Sequence, residues 1–211
     1  DRLRSRGLGD VYKRQDYDPA VSGDINTLVA ETPCAINAVS IYLDWIDKTI
    51  TLTIKPDTLS WEEAQKICDS IGDTYLCQDE KQLIDLMILF FDDADVISGW
   101  NSDFFDIPYI IGRTIKVLGK EKIKDYCLWK QEPICKEVET YGRVVKNYSF
   151  VGKWAVDYLE LYKKHTPNEH ESYSLDNISY EELGDRKVKY EGTLTRPVSY
   201  THLRAHETGA Y

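Results

Sequence analysis

The sequence predicts an α/β domain built on a mixed β-sheet flanked by helices. Three observations carry that expectation. Two consecutive segments, 35–43 and 49–54, alternate apolar and polar positions and are rich in β-branched residues. An amphipathic helical pattern from residue 80 to 91 leads into a short apolar segment, 95–100, which a second helical pattern follows. The full order, β-β-α-β-α-β-α and then a hairpin, a strand and two helices, mixes antiparallel and crossover connections.

Each element has its own signal. Asp44-Trp45-Ile46-Asp47-Lys48 is a hairpin turn between the first two strands. Ser60-Trp61-Glu62-Glu63 is a capping box that opens a helix to about Ile71, and Gly72 ends it. Thr74 to Cys77 reads as a short strand, and Asp79-Glu80 starts the next helix, with Leu83, Ile84, Met87, Ile88, Phe90 and Phe91 on its apolar face. Asp95 to Trp100 is the central strand, with Val96, Ile97 and Trp100 predicting burial on both faces. Asp106 to Gly119 is a helix whose packing face is Ile107, Tyr109, Ile110, Ile111, Ile115 and Leu118. A short helix is expected over Glu121 to Leu128, and a hairpin over Ile134 to Phe150 turns at Glu139-Thr140-Tyr141. Trp154 to Asp157 ends a strand, Tyr158 to Lys164 is helical, and Ser172 to Asp176 opens a helix that runs to about Leu183 and closes at Gly184. Arg186 to Tyr190 reads as extended, and Asp16 to Pro33 as loop.

Composition narrows the class. At 211 residues one domain with a substantial core is the default. Fifteen Tyr and five Trp argue against disorder. No apolar run approaches the ~18 residues of a membrane span, and no apolar segment follows the basic N-terminus, so no membrane partner and no signal peptide are expected. Cys34, Cys68, Cys77, Cys127 and Cys135 are odd in number and scattered, which predicts small buried hydrophobes in a reducing, cytoplasmic setting rather than a disulfide framework or a zinc site. A net charge of −10 disfavours sequence-independent binding of nucleic acid. It remains compatible with a nuclease whose carboxylates hold divalent metals.

Residues 1–15 and 195–211 show no usable period and resemble translated adapter sequence of the kind found at the ends of environmental reading frames. Both are expected to be non-native, leaving 16–194 as the domain. The first end carries +3 and the second +1, so 16–194 carries −14. His202 and His206 leave with the second end.

The stretch that stands out is Val96 to Tyr109, an apolar strand, a polar break and an acid opening the next helix. From its residues alone Asp106 reads as a helix cap before Ile107-Pro108, or as a metal-ligating carboxylate at the open end of a sheet. The second reading needs partner carboxylates, because two-metal hydrolysis of a phosphodiester requires several.

Gly99-Trp100-Asn101-Ser102-Asp103-Phe104-Phe105-Asp106-Ile107-Pro108-Tyr109 closely resembles the second exonuclease motif of family B DNA polymerases, in a variant most similar to the T-even phage type. Val156 to Lys164 resembles the segment between the second and third motifs. Ser172 to Ser179, continuing through Lys187 to Gly192, resembles the helix and lysine-containing segment ahead of the third. The resemblance spans 16–194 and runs in the family's order. It implies an RNase H-like fold, truncated here at both ends, and 3′–5′ proofreading on single-stranded DNA 3′ ends with two Mg²⁺ ions, Mn²⁺ being possible. It also implies primer-template DNA and a polymerase domain of the same chain as partners, in a bacterial or phage-infected cytoplasm.

Carried over by residue, the resemblance makes Asp106 a catalytic metal ligand and Asn101 and Phe105 DNA contacts. Lys187 matches a lysine that assists the scissile phosphate, and Asp157, at a recurrent family position, reads as a structural cap. The family's first motif, Asp-x-Glu on the first strand, is absent where it should precede Asp16, and Asp16 and Asp18 lie in loop-like sequence. The third motif, Tyr-x-x-x-Asp, is also absent, and Tyr173 to Asn177 has the wrong spacing to replace it. The expectation is an inactive fragment that lacks its first strand and leaves an unpaired sheet edge. The alternatives are a degenerate exonuclease-like scaffold or single-strand DNA-binding module, and a stand-alone exonuclease of the same superfamily.

Overall fold

The computed structural model describes residues 5–8, 12–13, 29–140, 143–167 and 169–186. Its main sheet contains β1 (Ser5–Leu8), β2 (Tyr12–Lys13), β3 (Ile36–Leu43), β4 (Lys48–Ile54), β5 (Thr74–Cys77), β6 (Val96–Gly99) and β9 (Trp154–Asp157). Their order is β5-β4-β3-β1-β6-β9, with β2 pairing β3 beside that path. β7 (Ile134–Thr140) and β8 (Arg143–Ser149) form a separate two-stranded sheet. The helices are α1 (Trp61–Ile71), α2 (Glu80–Asp92), α3 (Asp106–Leu118), α4 (Tyr158–His165) and α5 (Leu175–Leu183). This is the mixed sheet flanked by helices that the sequence predicts, and it is consistent with an RNase H-like exonuclease fold.

Local chemistry fixes the boundaries. The turn between β3 and β4 is a 3-10 turn, Asp44–Ile46, closed by Asp47 in the left-handed region at φ 51°. The capping box of α1 is made: the Glu63 N–H donates to Ser60 Oγ at 3.3 Å and the Ser60 N–H donates to Glu63 Oε2 at 3.0 Å. Asp79 caps α2 by accepting from the Gln82 N–H, and Ser174 caps α5 by accepting from the Asn177 N–H. Gly184, at φ 77°, ends α5 in the left-handed conformation.

The core lies between the sheet and α2 and α3. Leu83, Ile84, Met87, Ile88 and Phe91 of α2 are buried against Ile36, Val39, Ile41 and Leu52 of the sheet. Phe91 packs edge-on against both Tyr126 and Phe150, which carries the core out to the segments on either side of the hairpin. The C-terminal end of α2 meets the buried Lys153, whose ammonium donates to the Phe91 carbonyl and, at 3.3 Å, to that of Asp92. A cation there suits the negative end of the helix dipole.

One ion pair ties three elements together. Glu80, in the first turn of α2, accepts from Arg113 of α3 through both oxygens and from the Ile36 N–H at the start of β3, the last at 2.8 Å. Arg113 also donates to the Thr32 carbonyl at 3.0 Å. Both side chains are about nine-tenths buried, so the pair's hydrogen bonds must offset a large loss of hydration.

Several expectations are corrected. The sheet does not lack its first strand. Ser5–Leu8, inside a segment read as shapeless, pairs antiparallel with β3 and parallel with β6. Four residues are too few to show a period, which is why the sequence did not reveal them. Ile115 is 37% exposed and faces a cavity rather than the core. The short helix expected after α3 is present as a 3-10 helix, Lys120–Tyr126, and a second 3-10 turn, Leu128–Lys130, follows it. The hairpin turns after Thr140, which pairs with Arg143. Cys68, Cys77 and Cys127 are buried, but Cys135 on the hairpin is exposed and Cys34 half-buried. Residues 16–28 and the extended segment expected over 187–190 lie outside the described residues. No described helix is long and apolar enough to cross a membrane.

Removing one member of the buried ion pair strands the other. Glu80→Ala should therefore lower stability by about 3 kcal/mol, read as the shift of the urea midpoint by circular dichroism. Replacing Glu80 and Arg113 together with Met should cost less than the sum of the two single replacements.

Candidate active site

The site is built at the end of β6. β6 is parallel to both β1 and β9, and its register with β9 closes on Gly99 opposite Asp157. Parallel strands bring their C-terminal ends to one edge of the sheet, where α/β folds expose polar loops. Leaving β6, the chain turns sharply at Asn101, which adopts φ 59°. Asparagine is among the few residues that accept this left-handed conformation readily.

Trp100 fixes the other side of the turn. Its indole N–H donates to the Tyr173 carbonyl at 3.1 Å, and its ring packs on Tyr158 and Tyr162 of α4. The Asp157 carboxylate, 5% exposed, accepts from three backbone N–H groups: Asn101 at 3.0 Å, Asp103 at 3.2 Å and Leu159 at 2.9 Å. The last is the cap of α4 expected from sequence. The first two are not sequence-local.

Asp106 is the first residue of α3 and is 6% exposed. The cap position belongs to Phe105, which makes no side-chain cap bond, so the cap reading does not describe Asp106. The Ile107 N–H donates to the Ser102 carbonyl at 2.9 Å and the Tyr109 N–H to the Phe105 carbonyl at 3.2 Å. Pro108, between them, has no N–H to leave unpaired, which makes it a good fit in a first turn.

The neighbours are aromatic. The Phe105 ring stacks on Tyr109, with centroids 6.4 Å apart and planes 17° from parallel. Tyr109 is fully buried and its hydroxyl donates to the Cys34 carbonyl at 2.6 Å. Burial pushes that hydroxyl's pKa up to about 12, so it stays a donor at any working pH. Asp103 is less comfortable. Burial holds its carboxyl above the usual range; a hydrogen bond from Asn147 pulls the other way, and the nearby charges of Asp157 and Glu160 push up again. Its Oδ1 is buried with no hydrogen-bond partner among the described residues.

The structure therefore brings Asn101, Phe105 and Asp106 into one short loop at the strand end. Lys187 lies outside the described residues. The resemblance to family B exonuclease motifs implies divalent metals at this site. Among the described residues, however, no group of three or more His, Cys, Asp or Glu side chains could hold a metal ion. Asp157 already directs both oxygens to backbone N–H groups, and β1 contains neither Asp nor Glu.

The profile of the DNA polymerase family B exonuclease domain matches residues 35–178. The chain belongs to that family. Relatives of this exonuclease domain include a DNA-directed DNA polymerase of Escherichia phage RB69, 32% identical over 109 residues, and one of Enterobacteria phage T4, 30% identical over 113 residues. Each alignment covers 52% of the chain and 12% of the relative. A DNA polymerase of Autographa californica nuclear polyhedrosis virus is 33% identical over 124 residues, covering 55% of the chain and 12% of that protein. The chain thus spans about an eighth of the length of the curated relatives it matches. Asn101, Phe105 and Asp106 fall inside the stretch matched to the family, whereas Lys187 falls beyond it.

Two features of the exonuclease domain's site were missed from sequence. The second role of Asp157 depends on a parallel pairing with a strand more than fifty residues earlier, and the parallel order of the two strands is the signal that could have suggested it. The burial of the Asp103 Oδ1 atom has no sequence signal.

A carboxyl whose folded-state pKa is raised contributes stability at low pH and loses it as pH rises through that pKa. Asp103→Asn should therefore raise stability at pH 7 by about 1 kcal/mol. The gain should vanish on acidification below the ordinary value of 3.8. Thermal melts of both proteins across that range check both statements.

Proposed function

We propose that this chain is a fragment of a replicative DNA-directed DNA polymerase, holding its 3′–5′ proofreading exonuclease domain. The natural protein would hydrolyse phosphodiester bonds at single-stranded DNA 3′ ends with two Mg²⁺ ions, Mn²⁺ being a possible substitute. The observation that carries this reading is the buried Asp106 at the start of α3, beside the C-terminal edge of parallel strands and inside the motif Asn101 to Tyr109.

In this proposal Asp106 is the metal-ligating catalytic acid of the natural enzyme, Asn101 and Phe105 contact the DNA, and Lys187 assists the scissile phosphate. The partners are the DNA 3′ end, primer-template DNA and the polymerase domain of the same protein, in the cytoplasm of a bacterium or of a phage-infected host. In the same proposal residues 16–194 are the natural part of the incomplete domain, and residues 1–15 and 195–211 are non-native adapter-like sequence, although Ser5–Leu8 and Tyr12–Lys13 pair within the sheet.

The fragment itself is inactive in this proposal. Hydrolysis by two metals needs several carboxylates acting as a unit, and loss of any of them removes most of the rate. The absence of a metal-capable cluster among the described residues supports this and also favours a second reading, a degenerate scaffold or single-strand-binding module.

The test uses a 5′-labelled oligothymidylate with Mg²⁺. The 211-residue chain should leave it intact. The protein from the complete natural reading frame should shorten it from the 3′ end, and Asp106→Ala in that protein should reduce the rate at least about a thousandfold. Shortening by the fragment that disappears on Asp106→Ala would overturn the inactivity. A complete protein without exonuclease activity would favour the scaffold.

A further inference from the structure

We propose that Asp157 is a positioning residue for the loop that presents Asp106, not only the cap of α4. This rests on the reading of Asp106 as the reacting carboxylate. A cap requires one bond, from the Leu159 N–H. Asp157 makes two more, to the N–H groups of Asn101 and Asp103, which lie 56 and 54 residues earlier in the chain. Three backbone N–H groups converging on one buried carboxylate make a directional anchor.

These bonds select one backbone conformation of the turn. Asn101 sits at φ 59°, and the bond to its own N–H fixes it there. Asp103 is held two residues later. The residue between them, Ser102, is buried, and its hydroxyl donates to the Gly99 carbonyl at 3.3 Å. The Ser102 carbonyl in turn accepts from the Ile107 N–H, in the turn that begins with Asp106. The route runs from the end of β9, through both anchored amides and Ser102, to the first turn of α3. Released from Asp157, Asn101 is free to leave the left-handed region, the Ser102 carbonyl shifts, and the first turn of α3 loses its anchor.

Asp157→Ser separates the two roles. A serine hydroxyl caps a helix about as well as an aspartate does, but it is a single short acceptor and cannot bridge to the loop. Asp157→Asn is the intermediate case: one oxygen can still serve Leu159 and Asn101, while an amide NH₂ now faces the Asp103 N–H. The experiment is amide hydrogen exchange and ¹³C NMR on the full 211-residue chain, without metal or DNA. In Asp157→Ser, the Leu159 amide should keep its protection, while the Asn101 and Asp103 amides should exchange at least about tenfold faster. The Ile107 amide and the side-chain carboxyl carbon of Asp106 should shift with them. Asp157→Asn should speed exchange at Asp103 but not at Asn101.

Unchanged exchange at Asn101 and Asp103 in Asp157→Ser would overturn the proposal, as would faster exchange there with no change at Ile107 and Asp106. If the serine variant does not fold, the asparagine variant decides: faster exchange at Asp103 with a shift at Ile107 and Asp106 supports the proposal, and unchanged exchange at Asp103, or no shift at Ile107 and Asp106, overturns it. Because these signals need neither catalysis nor substrate, they stand apart from the oligothymidylate assay: a complete protein without exonuclease activity would remove the enzymatic reading and leave this coupling intact.

Discussion

The parallel pairing of β6 with β9 is the constraint on which the site depends. Its register sets Gly99 beside Asp157, so the last residue of one strand stands at the exit of the other. A two-residue shift would keep the same faces buried but would carry the carboxylate about 7 Å along the strand, away from the amides it holds. β6 is itself fixed on its other side by β1, and above by α2 and α3. The polar groups of the turn are therefore addressed by a carboxylate whose place is set by strand hydrogen bonds rather than by loop contacts.

Much of the fold was legible because it is written in local chemistry. Ser60 and Glu63 satisfy each other's backbone donors wherever they meet, and Gly72 and Gly184 end helices because they accept φ values of 73° and 77°. The alternation in β3 and β4 and the apolar stripe of α2 required only a period. What the sequence hid is what depends on neighbours distant in the chain. Ser5–Leu8 is a strand because β3 and β6 leave a slot between them. Ile115 shares the helical spacing of Ile107 and Ile111, yet it faces the gap towards the hairpin, where no core exists to cover it.

The site divides along the same line. Asn101, Phe105 and Asp106 were legible as a motif, and the structure gives each a local reason. Asn101 tolerates the left-handed turn, Phe105 stacks on a buried tyrosine, and Asp106 opens a helix. Their support was not legible. Tyr109 reaches the Cys34 carbonyl 75 residues away, and Glu80 joins β3 to α3 through Arg113. The acid in the turn, Asp103, carries a buried oxygen with no hydrogen-bond partner among the described residues. Buried polar groups left in this state are uncommon in native folds.

The strands β7 and β8 pair with each other and not with the main sheet; β8 rests on α3, and its Asn147 reaches Asp103 in the turn. Two-stranded sheets of this kind are marginal in isolation, and Ile134 and Val144 are more than half exposed. The length of the hairpin's outer end is therefore decoupled from the register of the main sheet. Evolution can add or delete rungs in pairs, one residue from each strand, without altering the register of the main sheet or the turn at Asn101. Such a segment is free to diverge in reach while the motif beside it is held still.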